Sequence, residues 1–147
     1  MLNIKKSIIF GFISILCSCA SNPYRVQVDD KLKPSFDYLV NLFEKNNVNI
    51  NYRKIKYIRL FDLNKAHGRY IKKYKVIYID NYSLRWDWIW IYEDVQIIIL
   101  AHEMAHSQKI DHNNDSTSIM SKNADRYITD IIERDGVEKS VLDIFKK

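Results

Sequence analysis

Apolar residues recur along the chain in three rhythms. Between residues 35 and 46, Phe36, Leu39, Val40, Leu42 and Phe43 fall at helical spacing, which predicts a first helix packed on a sheet. Residues 49–61 alternate more nearly in twos, through Ile50, Tyr52, Ile55, Tyr57, Ile58 and Leu60. They predict a strand with an irregularity near Arg53 and Lys54. Residues 64–68 read as a turn, and residues 69–79 as a second strand carried by Val76, Ile77, Tyr78 and Ile79. Lys72, Lys73 and Lys75 are expected on a solvated part of that strand. A loop follows at 80–83. Trp86, Trp88 and Trp90 then recur with period two, which places them on one face of an extended segment. They are read as core and rim packing rather than a carbohydrate platform.

The third rhythm is a continuous apolar run. Glu93 and Asp94 suit the positive end of a helix, and residues 95–108 predict that helix. Its run Ile97-Ile98-Ile99-Leu100-Ala101 is apolar all round, so the helix is central and buried. Residues 111–123 are polar loop. Residues 124–133 and 137–145 predict two terminal helices separated by Asp135-Gly136. The fold class expected is α+β: a small twisted β-sheet, a first packing helix, a central helix and C-terminal helices.

Composition narrows the chemistry. The 147 residues suit one domain with an appendage. Glycines at 11, 68 and 136 cannot build a GxGxxG or Walker-type phosphate loop. The net charge of +5 comes from 23 basic and 18 acidic residues, too mixed to argue for a nucleic-acid partner, so none is expected. The two cysteines, Cys17 and Cys19, both lie near the N-terminus. They offer no disulfide framework and no cysteine zinc site.

The N-terminus has the form of an export signal. Lys5 and Lys6 precede an apolar run, residues 7–16, too short for a permanent bilayer helix of roughly 20 residues. The run ends in Leu16-Cys17-Ser18-Cys19-Ala20, which resembles the lipobox of bacterial lipoproteins, although Cys17 stands where that pattern more often has a small residue. The resemblance implies a signal peptide over 1–18 and a lipid anchor on Cys19. A tether would follow over 19–34, holding Pro23 and Pro34, with a domain over 35–147. It implies a place at the membrane of the bacterial cell envelope, periplasmic or outer face. An ordinary signal peptide cleaved near Ala20 is the alternative. Either way the folded domain contains no cysteine, which suits an oxidising compartment.

The chemistry lies in His102-Glu103-Met104-Ala105-His106. On a helix, positions i and i+4 share a face one turn apart, so both imidazoles reach a single metal ion. Glu103 falls on a neighbouring face, close enough to touch a metal-bound water. Zinc suits the site, because it favours imidazole nitrogen and keeps an open position in catalytic centres. Two histidines and a glutamate at the end of a buried apolar helix are costly unless paired or metal-bound. His112 is the candidate third ligand, with Asp111 as an oxygen alternative. For His112 to return to the metal, the helix must stop soon after His106.

The stretch HEMAHSQKIDH followed by NNDSTSIM resembles the metzincin metalloproteases, the matrixin branch in particular, whose pattern is HExxHxxGxxH with a Met-turn beyond. The resemblance covers residues 102–120. It implies a zincin-like fold and zinc held by His102, His106 and His112. It implies Glu103 as general base and Met120 as an apolar floor beneath the metal. The activity it implies is a zinc endopeptidase acting on peptide or protein substrate. Lys109 stands where the family has the glycine whose positive φ ends the helix. Either Lys109 takes that conformation at a cost of roughly 1 kcal/mol, or Gln108 or Asp111 absorbs the bend. The chain lacks evident calcium loops and a cysteine-bearing propeptide, so a minimal member is implied.

His67 is read as a turn residue. The strand over 69–79 is the candidate edge for an extended substrate. Two rival readings are a non-catalytic zinc-binding envelope lipoprotein acting as a scaffold, and a surface adhesin using the tryptophans.

Overall fold

A computed structural model describes residues 24–64, 66–81 and 92–146. Cys19 and the tryptophan segment lie outside the described residues. Among the described residues the fold is mixed α and β, with a four-stranded sheet and three helices. In chain order these are β1 (Gln27–Val28), α1 (Lys33–Lys45), β2 (Tyr57–Phe61), β3 (Gly68–Ile71), β4 (Val76–Asp80), α2 (Tyr92–Ser107) and α3 (Ala124–Phe145). The strands lie in the order β1-β2-β4-β3. β1 and β4 run parallel to β2, and β3 runs antiparallel to β4.

α1 forms where the pattern places it. Pro34 in the first turn presets helical φ, and Phe36, Leu39, Leu42 and Phe43 are buried on one side. α2 is buried along most of its length: residues 96–101, 103–105 and 107 are all enclosed. It touches α1, α3, β3 and β4, which explains a helix with no polar face. Ile58, Ile77 and Ile79 on the inner face of the sheet meet this layer in one core with Leu100, Ala101 and Met104. No described helix is long and apolar enough to cross a membrane.

Three expectations are corrected. Only Tyr57–Phe61 of residues 49–61 is strand; Tyr52–Lys54 is a 3-10 turn. There the Asn51 side chain accepts the Arg53 N–H, and Tyr52 is drawn into a stack with Tyr24 and an edge contact with Phe36. A side-chain acceptor two residues away competes with the strand ladder.

Residues 69–79 form a hairpin, not one strand. Lys72, Lys73, Tyr74 and Lys75 make its turn. Lys75 adopts φ 54°, and its carbonyl accepts the Lys56 N–H at 2.6 Å. The lysines are solvated as expected, on a turn rather than a strand.

Part of the presumed tether belongs to the fold. Val26 and Leu32 are buried, β1 pairs with β2, and Asp29 bonds the Arg59 guanidinium at 2.6 Å and the Leu60 N–H at 2.8 Å.

The two terminal helices were expected around Asp135-Gly136, and α3 does break there. Gly136 sits at φ 74°, ψ 165°, a region open essentially to glycine. A Cβ there would meet nothing within 4 Å, so any cost of adding one is backbone strain alone. Gly136→Ala is expected to lower the unfolding free energy by about 1–3 kcal/mol, read as the urea midpoint of the metal-free protein. An unchanged or raised midpoint would mean that the helix runs straight through residue 136 in solution.

Candidate metal centre

The site is built at the C-terminal end of α2. The helix stops in a Schellman arrangement: the Ile110 N–H donates to the Ala105 carbonyl at 3.0 Å and the Lys109 N–H to that of His106 at 3.0 Å. Lys109 holds φ 70°. The lysine itself takes the left-handed position, and neither Gln108 nor Asp111 does. The reversal brings His112 back over the last turn. A second clamp fixes the far side, where the Asn113 N–H donates to the Met120 carbonyl at 2.8 Å and Asn113 bridges to Ser121.

Three imidazoles converge as a result. Nε2 of His106 lies 3.0 Å from that of His102 and 3.3 Å from that of His112, and the third pair is 3.2 Å apart. Nδ1 of His102 faces the Ile119 carbonyl at 2.7 Å, and Nδ1 of His106 faces the Ile110 carbonyl at 2.9 Å. A carbonyl only accepts, so both Nδ1 atoms carry the proton and both Nε2 atoms present lone pairs. Burial holds the pKa of His102 down at about 4 and lowers that of His106. At neutral pH no proton closes the gap between those two nitrogens.

A metal ion shared by the three histidines would satisfy the facing lone pairs of His102 and His106. Ligand nitrogens at ~2.0–2.1 Å from a tetrahedral ion stand roughly 3.3 Å apart, close to the separations found. The three residues lie close enough to hold one ion.

Glu103 is buried one residue beyond the first ligand. Its carboxylate accepts the Tyr70 N–H of β3 and lies against Gly68. A Cβ at residue 68 would come within 2.7 Å of Glu103 Cγ and 2.8 Å of its Oε1. The missing side chain is what lets β3 approach this closely. Burial raises the Glu103 pKa to about 7, with the Tyr70 N–H and the Arg69 charge pulling the other way.

No family model, curated protein or solved structure matches this chain.

Sequence spacing brought His102, His106 and His112 together correctly. Asp111 is exposed and outside the cluster. Met120 is fully buried in the core. It stands one residue beyond the carbonyl that orients His102. His67 lies at the turn before β3, its carbonyl accepting the Asp80 N–H at 2.9 Å. Sequence reasoning missed Gly68 and Tyr70, and the Ile110 and Ile119 carbonyls. Backbone groups leave no mark in a sequence, and a lone glycine before a strand reads as a turn.

Two outcomes are expected. Lys109→Gly removes the left-handed strain, so the metal-free protein should gain up to about 1 kcal/mol. A fall in its melting temperature would show that the lysine side chain contributes more than its backbone costs.

The second concerns protons. At pH 6 the metal-free site holds Glu103 largely protonated and His102 neutral. A divalent ion such as zinc lowers the carboxyl pKa and expels that proton. Calorimetry at pH 6 in two buffers of different ionisation enthalpy should find clearly fewer protons released per ion for Glu103→Gln than for the wild type. Equal release from both would place the proton on the imidazoles.

Proposed function

We propose that the protein is a zinc-dependent endopeptidase of zincin-like fold, a minimal relative of the metzincins, anchored to the bacterial cell envelope through a lipid on Cys19. One observation carries the reading. Three imidazole Nε2 atoms converge within 3.3 Å, and the helix that supplies two of them also supplies Glu103. Zinc fits an all-imidazole donor set, and three ligands leave it an open coordination position. A fourth ligand from a cysteine or carboxylate would favour a structural site, and among the described residues the cluster consists of three histidines.

Bound there, zinc would supply a Lewis acid and a water acidified toward neutrality. Glu103 takes the proton of the attacking water and passes it to the leaving amine nitrogen. Its pKa near 7 in the metal-free site suits a group that must accept and return a proton. The Tyr70 N–H and Gly68 hold the carboxylate in place. Among the described residues β3 is an edge strand, and it runs beside Glu103. A substrate peptide in extended form can pair with that edge, which brings its backbone to the carboxylate. The Ile110 and Ile119 carbonyls keep the His106 and His102 rings turned toward the ion, the supporting role that such partners play at zinc sites.

Glu103→Gln should bind zinc with unchanged stoichiometry by elemental analysis while cleavage of a peptide library falls by at least ~100-fold. Equal turnover in the variant removes Glu103 from the proton transfer. A zinc-loaded wild-type protein that cleaves nothing in the library returns the site to a scaffold role. Mass spectrometry of the N-terminal peptide reads the anchor directly, as an acylated Cys19.

A further inference from the structure

The face of the sheet turned away from the helices carries a basic, tyrosine-lined groove. Strand alternation sends Ile58, Ile77 and Ile79 into the core and turns Tyr57, Arg59 and Tyr78 to the other side. The groove encloses about 670 Å³. Among the described residues its charged lining is Lys56, Arg59, Lys73 and Lys75, with no acidic residue. Arg59 is neutralised by Asp29. Among the described residues, none of the three lysines forms a salt bridge. Tyr74, at the tip of the β3–β4 hairpin, is 60% exposed, with Lys73 Nζ 5.4 Å from its ring centre.

An uncompensated positive groove selects an anionic partner, and two further observations say which kind. Two of the groove's three rings are poorly placed to stack on bases. Lys56 and Arg59 both lie over Tyr57, 5.0 and 5.2 Å from its centre, and Phe61 leans on Tyr78. The groove also opens at a particular end of the sheet. The register sets Gln27 beside Tyr57, and Tyr57 beside Val76, so the start of β1, Lys56 and the hairpin share one end. Tyr24, stacked on Tyr52 at this end, follows Cys19 by five residues, a reach of at most ~18 Å. A lipid at Cys19 would hold this end nearest the membrane. Lysines beside an exposed tyrosine suit the headgroup layer, where the ring sits at the interface and the ammonium stays in water.

We propose that this groove and the hairpin tip bind the headgroups of anionic phospholipids, giving the protein a second hold on the membrane beside the anchor. A lipid anchor combined with a basic patch is a physically sufficient pair of signals. The contact also fixes orientation. It lies on the far side of the sheet from α2, so the metal centre faces away from the bilayer.

The export reading supplies the geometry of the argument but not its test. The test uses the chain from Ala20 onward, which contains every described residue and carries no acyl group, so the state of Cys19 does not enter. Co-sedimentation is measured with vesicles of phosphatidylcholine alone and with vesicles half phosphatidylglycerol. Binding to the anionic vesicles only, weakening as salt rises, is the expected result. Each lysine near an anionic surface contributes about fivefold to partitioning, so Lys56→Gln, Lys73→Gln and Lys75→Gln together should reduce it roughly 100-fold. All three side chains are exposed, and circular dichroism checks that the fold is kept. No binding to anionic vesicles, equal binding to both compositions, or an unaffected triple variant overturns the proposal. So does tighter binding to a single-stranded oligonucleotide than to the vesicles. An unacylated Cys19 in the cellular protein would defeat the anchor and leave the vesicle result standing.

Discussion

The left-handed backbone of Lys109 decides whether three imidazoles can meet at one point. An α-helix alone can offer two imidazoles at i and i+4, and no continuation of that helix brings a third to the same point. The reversal at φ 70° supplies the third by sending the chain back to His112. The same turn orients the ligands. The carbonyl of Ile110, the residue after the reversal, accepts the Nδ1 proton of His106 and leaves Nε2 free for a metal. Helix termination, tautomer choice and ligand count are therefore one structural event. Its cost in backbone strain, roughly 1 kcal/mol, is small beside the interaction of an ion with three imidazoles.

The remaining parts of the centre come from long-range packing onto α2. The Ile119 carbonyl orients His102 from a loop seventeen residues along. β3 reaches Glu103 through a glycine and a main-chain N–H. All of these partners are backbone, held by the sheet or by turns, so they lose little freedom when an ion or substrate arrives. Such preorganisation matters in a buried pocket, where reorienting dipoles is expensive. It also explains why a helix carrying so much apolar surface ends in titratable groups. Burial disfavours charge on His102, His106 and Glu103 in the metal-free site; a bound cation would keep the two imidazoles neutral and favour the ionised form of Glu103.

The sheet divides the molecule electrostatically. Its inner face is isoleucine packed on α2, and its outer face is tyrosine and lysine open to solvent. Strand alternation of period two places the two chemistries on opposite sides of one short β4. The histidine cluster and the basic groove therefore lie on opposite sides of the sheet.

Local periodicity was legible from residues alone. The helical spacing of α1, the apolar run of α2, the break at Gly136 and the shared face of His102 and His106 follow from helix pitch, which is the same in any surroundings. The involvement of His112 was legible too, because a polar stretch after a buried helix has to turn. Register and close approach were not legible. Residues 69–79 hold enough apolar positions for one long strand, and only the antiparallel pairing of β3 with β4 across the left-handed Lys75 folds them into a hairpin. Nothing in the letters told which residue would bear the left-handed turn, because it is fixed by the backbone hydrogen bonds of Lys109 and Ile110 back to His106 and Ala105. The nearness of Gly68 to Glu103 was equally hidden, since it arises between elements far apart in the chain. Sequence determines what a segment can do within a turn or two of itself. Tertiary structure decides which backbone groups meet, because those meetings depend on the free energy of the whole packed core.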